Sequence, residues 1–408
     1  MNIRRSAAAL AAAAVIGVAA TPVARAADPS PSATPSVAVP SGLYGSGDPT
    51  YDGVWRQSLA LLAQDAVGVR PAGQAVDWLT GQQCANGAFA SFRADTATAC
   101  DAKTMLDTNA TSAAVQALAA LGGHDAVTGK AVGWLKSVQN KDGGWGFGAG
   151  SPSDANSTSI VIGALAAAGE KPAGVKKGGK SPYDALLALA LPCDEKDGGA
   201  FAYQPDKKGE LAANADATAA GVLGALGKGL DARAGEKGSP PKCADANSPG
   251  QAAANGAAYL AEALAEDGHL VSALPGAEDQ PDFGNTADAV VALAAQGGAE
   301  RAAKPLKWLE ENSAGWARQN GPAAYAQLIF AALATGTEPR DFGGTDLVRQ
   351  LNATGPAPQA ADKNESKQDD AADKGGDGSG MWWVIGALFV GGIGIGFLLS
   401  GRKKGRQA

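Results

Sequence analysis

Between residues 51 and 351 the apolar positions follow two alternating patterns. The first is a run of Ala, Val and Leu opened by short polar residues and closed by glycine, as in DTNATSAAVQALAALGG from Asp107 to Gly123. The second sets an aromatic residue on an apolar face with Lys, Gln or Asp opposite, as in KAVGWLKSVQ from Lys130 to Gln139. Apolar residues three and four positions apart predict helices for both. The polar openings read as N-caps and the terminal glycines as C-caps. Small-residue helices are predicted to begin near Tyr51, Thr108, Ala155, Ala215, Asn285 and Pro322. Amphipathic helices are predicted from near Pro71, Thr128, Pro182, Pro249, Ala302 and Thr345.

The two kinds alternate because the chain repeats. The offset from Trp78 to Trp134 also separates Asn86-Gly87-Ala88-Phe89 from Asp142-Gly143-Gly144-Trp145. Asp197-Gly198-Gly199-Ala200-Phe201 is a third such corner, and Asp267-Gly268 a fainter fourth. Each corner precedes a second motif: Asp107-Thr-Asn109-Ala-Thr111, Asp154-Ala-Asn156-Ser-Thr158, Asn214-Ala-Asp216-Ala-Thr218 and Asp282-Phe-Gly-Asn285-Thr286. Gly143 and Gly144 permit positive φ and close approach. The corner is therefore expected to rivet adjacent helices, with Trp145 as the wedge. Helix pairs stacked in line would make an open solenoid. About six pairs, with small-residue helices inside and aromatic-bearing ones outside, suit closure into a ring.

Both ends read as targeting segments. Arg4 and Arg5, the apolar run Ala7–Ala20 and Ala24-Arg25-Ala26 form a signal-peptide pattern over residues 1–26. Residues 381–400 carry no charge, long enough to cross ~30 Å of hydrocarbon, and Arg402, Lys403, Lys404 and Arg406 follow. The expected organisation is a Pro/Ser-rich linker over 27–50, a helical body over 51–351 and a disordered stalk over 352–380. A membrane helix over 381–400 and a basic cytoplasmic tail over 401–408 complete it. This sets the body outside the cell. Leu351-Asn-Ala-Thr-Gly355 resembles a sortase sorting signal but departs from it at Asn352, and a retained anchor is expected.

Export makes disulfides the expected state of Cys84, Cys100, Cys193 and Cys243. Three pairings are possible. Cys84–Cys100 and Cys193–Cys243 are expected, because each pins a long loop leaving a helix. No two of the four have CxxC spacing, and His124 and His269 fall in loops, so no metal site is expected. The net charge of -7 argues against a nucleic-acid partner, which would want a basic face.

Lys130-Ala-x-x-Trp134-Leu135-x-x-x-Gln139-x-x-x-Gly143-x-Trp145 resembles the QW motif of squalene and terpenoid cyclases, and Gln74 to Phe89 is a relaxed second copy. The D-x-[ND]-x-T helix start resembles that of these cyclases and of protein prenyltransferase β subunits. The resemblance covers about residues 51–351. It implies an all-α fold, an (α/α)6 toroid of about twelve helices, to which the C-terminal transmembrane helix is added. For chemistry it implies less, because the superfamily also contains cobalamin carriers. No Asp-x-Asp-Asp acid, no zinc set of Asp, Cys and His, and no Gly-Cys-Gly-Glu-Gln thioester motif occurs in the body. No catalytic residue is assigned.

Parallel inner helices would gather their N-termini, with partial positive charge and free N–H groups, at one mouth. Asp107, Asn109, Asp154, Asn156, Asp216, Asp282, Asn285 and Thr286 would ring it, with Tyr325 and Gln327 on the last inner helix. Trp145 and Phe147 are the aromatic candidates for lining a ligand. Each capping residue also has a purely structural reading. The expected function is non-catalytic binding of a small-molecule or lipid-like ligand at the cell surface. By analogy with the carriers, the ligand would be a corrinoid held for an uptake transporter. A cyclase-like enzyme acting on isoprenoids and an envelope protein-interaction module are the alternatives.

Overall fold

The structure, a computed structural model, describes residues 39–237, 242–272 and 280–360. The signal-peptide pattern, residues 381–400 and the basic tail lie outside these. Among the described residues no helix is long and apolar enough to cross a membrane.

Among the described residues thirteen α-helices follow in chain order. They are α1 (Gly53–Ala66), α2 (Gly73–Gly81), α3 (Thr108–Leu121), α4 (Asp125–Ser137), α5 (Ala155–Ala167), α6 (Pro182–Leu187) and α7 (Ala215–Ala225). Then come α8 (Pro249–Ala263), α9 (Phe283–Ala295), α10 (Ala299–Asn312), α11 (Ala314–Asn320), α12 (Pro322–Thr335) and α13 (Leu347–Asn352). A two-residue hairpin, β1 (Leu270–Val271) with β2 (Pro281–Asp282), pairs Leu270 with Asp282 and leads into α9. The twelve expected helices are present. The thirteenth, α11, is a short helix between α10 and α12.

Six of the helices close a ring. Helix α1 packs on α3, α3 on α5, α5 on α7, α7 on α9, α9 on α12, and α12 back on α1. These are the small-residue helices, and the amphipathic ones flank them outside. The fold is an all-α toroid. Small side chains are what let the ring tighten. A Cβ on Gly224 would stand 2.5 Å from Ser159 Oγ, and one on Gly221 would stand 2.7 Å from the Phe201 ring.

The N-caps form as the sequence predicts. Asp107 accepts from the Asn109 and Ala110 amides, Asp154 from Ser157, Asn214 from Ala217 and Asp282 from Asn285. The threonine four residues after each cap does a second job. Its hydroxyl accepts from a backbone N–H of the preceding corner: Thr111 from Phe89 (2.9 Å), Thr158 from Trp145 (3.1 Å), Thr218 from Phe201 (2.9 Å) and Thr286 from Leu270 (3.0 Å). The repeated motif thus caps the inner helix and ties it to its corner.

The corner itself is a rivet. Gln139 Nε2 donates to the Gly143 and Val175 carbonyls, and Gln83 does the same to Gly87 and Val127. Gly143 has φ +92°, and a Cβ there would stand 2.2 Å from the Ser181 carbonyl oxygen. Trp145 is 1% exposed, and its indole N–H donates to Leu135 O at 2.7 Å. Its role as a ligand-lining aromatic is thereby corrected: it is core.

The disulfides join Cys84 to Cys100 and Cys193 to Cys243. The compact body reaches beyond 51–351 at both ends. Tyr44 is fully buried, its hydroxyl donates to Pro356 O at 2.9 Å, and Gly45 N–H donates to Thr354 O. Linker-like composition hid these residues, but one aromatic side chain with a satisfied hydroxyl is enough to fix both stretches of chain. The compact unit ends at Pro358.

Candidate functional site

The inner helices run parallel: the N-termini of α1, α3 and α5 are each bonded to the segment leading into the next inner helix. Val54 N–H donates to Ser91 O, Thr108 N–H to Phe147 O and Ala155 N–H to Tyr203 O. Asn156 Nδ2, in the first turn of α5, donates to Asp216 Oδ2 in the first turn of α7 at 2.7 Å. The N-termini therefore share one mouth.

The opposite end of the ring is crossed by the chain that follows α7. Leu230 N–H donates to Gln116 Oε1 at 2.9 Å, Arg233 Nη2 to Ala66 O at 3.0 Å, and Gly235 N–H to Ala294 O at 2.9 Å. These contacts reach α3, the C-terminal end of α1 and the C-terminal end of α9. Residues 228–237 thus form a strap across the floor.

Between mouth and strap lies a cavity of about 270 Å³. Asn109, Asn156 and Asp216, from the first turns of α3, α5 and α7, line it near the mouth, with Asp288 and Gln327 one turn deeper on α9 and α12. Leu59, Ile160, Leu223, Val291 and Phe330 form an apolar chamber, Trp55 lines one side, and Lys228, Gly229 and Leu230 of the strap lie at its floor. A polar collar therefore stands over a greasy hollow.

The collar holds two carboxyl groups with altered acidity. Asp288 is pushed up to about 7, chiefly by burial and then by the negative charge of Asp216, while the hydrogen bonds from Gln327 Nε2 (3.2 and 3.1 Å) pull it down. Asp216 is also raised by burial, against the hydrogen bond from Asn156, and the charge of Asp282 adds to the effect. Two carboxyl groups sharing a desolvated site cannot both ionise cheaply. Near neutral pH Asp288 is therefore poised between its neutral and charged forms.

A second hollow of about 400 Å³ adjoins the first at Asp216, lined by Asn214, Tyr259, Leu270, Val271, Asp282 and Asn285. The described residues with large exposed apolar side chains are Tyr51 (87%), Met105 (77%), Val271 (49%), Phe147 (46%) and Tyr203 (43%). All five lie in segments that lead into inner helices, so they rim the mouth.

The candidates separate accordingly. Asn109, Asn156, Asp216 and Gln327 come together at the cavity, and Asp282 and Asn285 lie in the adjoining hollow. Asp107 and Asp154 are buried caps whose carboxylates are spent on backbone N–H groups and on Ser91 and Ser157. Thr286 is a buried tie. Phe147 is on the rim. Tyr325 is 6% exposed and faces a separate small hollow with Arg318 and Phe342. His269 packs tilted against Trp308, ring centroids 4.5 Å apart, and His124 stands at the N-cap of α4. Among the described residues no group of three His, Cys, Asp or Glu side chains is placed to hold a metal ion.

Sequence reasoning missed Asp288, Gln116 and Lys228. Asp288 had a signal: it is a lone acid in the Ala/Val-rich run from Ala287 to Ala295, three residues after Asn285 and so on its face.

No protein-family model matches the chain, and no curated protein sequence matches it. Among solved structures the chain is similar to the ent-copalyl diphosphate synthase from Streptomyces platensis, with 16% identity, 70% of this chain and 50% of that one covered, and a TM-score of 0.45. It is also similar to a sugar epimerase from ruminal bacterium (14% identity, 73% and 93% covered, TM-score 0.47). A structure described as a wild-type glycosidase gives 14% identity, 74% and 92% coverage and a TM-score of 0.44. The chain spans about half the length of the synthase. What stands at the level of fold is the ring that this chain closes for itself, the α/α toroid that its QW-like corners imply.

Proposed function

We propose that this is an exported, membrane-tethered protein whose toroid binds one small ligand in the central cavity, at the outer surface of the cell. The carrying observation is the cavity: set between the helix N-termini and the strap, with polar residues at one end and an apolar chamber below. The signal-peptide pattern, the uncharged segment 381–400 and the two disulfides support the location. The apolar rim supports a ligand with a lipid-like or otherwise apolar part.

About 270 Å³ lies at the small end of ligand pockets, which run from about 300 to 1,000 Å³. A corrinoid exceeds it and would have to lie across the mouth. A molecule on the order of ten non-hydrogen atoms fits inside, taking ~30 Å³ per water-sized unit of liquid volume. The test is to screen such molecules and cobalamin against the full chain by calorimetry, then repeat with Ala220→Phe, which enlarges a side chain of α7 that lines the chamber. Small-molecule binding lost in the variant supports the cavity; binding unchanged by it removes the cavity as the site.

A second reading is favoured by Asp288 alone. A carboxyl group near 7 is well matched to proton transfer at neutral pH. On this reading Asp288 donates a proton to a bound substrate, Asp216 keeps the donor's acidity low, and the apolar chamber holds an isoprenoid-like chain. Incubation with polyprenyl substrates separates the two readings. Turnover abolished by Asp288→Asn would make the protein an enzyme, and binding without turnover would keep it a carrier or sensor.

A further inference from the structure

We propose that the ligand class of the central cavity is an organic cation: a protonated amine set against Asp216 and Asp288, with an apolar body in the chamber below. The proposal rests on the cavity being the ligand site.

Charge is the first observation. Asp216 and Asp288 line the cavity, and Asp282 stands in the hollow adjoining Asp216. The side chains bonded to these carboxylates are neutral: Asn156 to Asp216, Gln327 to Asp288, and Asn285 to Asp282. The basic residue among the lining side chains, Lys228, belongs to the strap at the other end. The collar therefore carries negative charge that amides bond but do not neutralise. Placing one ammonium there removes a like-charge repulsion and makes a charge-assisted hydrogen bond.

Unused hydrogen-bonding capacity is the second observation, and it is independent of charge. Ser159 lines the same cavity and is 4% exposed, and its Oγ has no hydrogen-bond partner among the described residues. The Oδ1 atoms of Asn109 and Asn156, residues of the same lining, are likewise without partners among the described residues. Amide and carboxylate oxygens are acceptors, and an ammonium group offers three donors and no acceptor. A hydroxylated neutral ligand would supply fewer donors and leave the carboxylate pair uncompensated. Trp55, near the start of α1, adds an aromatic side chain to the lining, a residue type that cations favour.

Binding of a cation also changes protonation. The groups that face Asp288 are Asp216 on α7, Asp282 at the N-cap of its own helix, Gln327 on α12 and Lys228 on the strap. An ammonium between Asp216 and Asp288 favours the ionised form of both, so uptake of the ligand releases protons near neutral pH.

The experiment compares cyclohexylmethylamine with cyclohexylmethanol, which match in shape and differ in the charged head. Both are titrated into the full chain by calorimetry at pH 6 and pH 8, in two buffers of different ionisation enthalpy to count released protons. The expected result is about tenfold tighter binding of the amine at pH 8, a smaller preference at pH 6, and proton release with the amine only. Asp216→Asn is expected to cost the amine about tenfold and the alcohol less than about threefold, with circular dichroism checking the fold. Asp288→Asn abolishes the proton release. Equal or tighter binding of the alcohol overturns the cation proposal and leaves the cavity as a site. Failure of both compounds to bind at millimolar concentration overturns the cavity reading and the cation proposal together.

Discussion

Asp288 is a cavity carboxyl whose acidity the fold alters strongly. Its carboxyl is pushed up to about 7 in the folded chain, whereas an unfolded aspartate titrates near 4. The folded state therefore binds more protons than the unfolded state between those values. The contribution to stability is full below about pH 4, falls as pH rises, and is lost once pH passes about 7. The gap between those two values sets a ceiling of about 4 kcal/mol on this effect. Asp288→Asn is expected to flatten the fall of Tm between pH 4 and pH 7 and to raise Tm at pH 8. Thermal unfolding followed by circular dichroism across that range checks it; an unchanged pH profile would mean that Asp288 titrates as a surface acid does. The neighbouring caps behave differently. Asp107 and Asp154 are raised by burial as well, with hydrogen bonds from backbone N–H groups and serine hydroxyls pulling the other way. Residue type alone did not separate a cap from a cavity carboxyl, because both are short acids in the early turns of inner helices.

At the scale of elements, the corner is the device that repeats. Gly87 and Gly143 each present a Cα where a Cβ would stand 2.2 Å from a backbone carbonyl oxygen, that of Lys130 or Ser181. Neither partner is a flexible side chain, so neither can yield. Gly143→Ala is expected to cost about 3 kcal/mol or more, from positive φ and the clash together. Gly150→Ala is the control: Gly150 has φ +79° and nothing within 4 Å of the Cβ that alanine would add, and about 1 kcal/mol is expected. Urea unfolding of the two variants gives the comparison, and equal costs would show that the close approach at Gly143 does not fasten the corner. The corner was legible in the sequence down to its glutamine, glycine and aromatic. What the spacing withheld was the role of the threonine, whose hydroxyl joins an inner helix to a corner 13 to 22 residues earlier in the chain.

The whole molecule is held by closures of three kinds: α12 against α1, the strap under the ring, and two disulfides. The bridges span 16 and 50 residues, for which chain entropy gives about 3 and about 4 kcal/mol. Cys193–Cys243 encloses α7 and the strap, so the wall and the floor of the cavity share its constraint. Paired Cys→Ser variants are expected to lose stability in guanidinium unfolding, with the larger loss for Cys193–Cys243. A loss confined to Cys84–Cys100 would show that the loop of 50 residues is already ordered in the unfolded chain.

The sequence by itself determined the helices, their alternation, the caps and the corners, because each follows from local spacing and local chemistry; of three possible cysteine pairings the fold selected the expected one. Count and composition also set the expectation of a ring. Tertiary structure decided what faces the centre. Asp216 and Asp288 lie far apart in sequence, and only the packing of α7 on α9 within the ring brings both to one cavity. The strap reads as a plain Gly- and Lys-containing loop until its amides meet Gln116 and Ala294. Burial and the proximity of like charges exist only in the folded state, and they are what raise both aspartates above the ordinary carboxylate range.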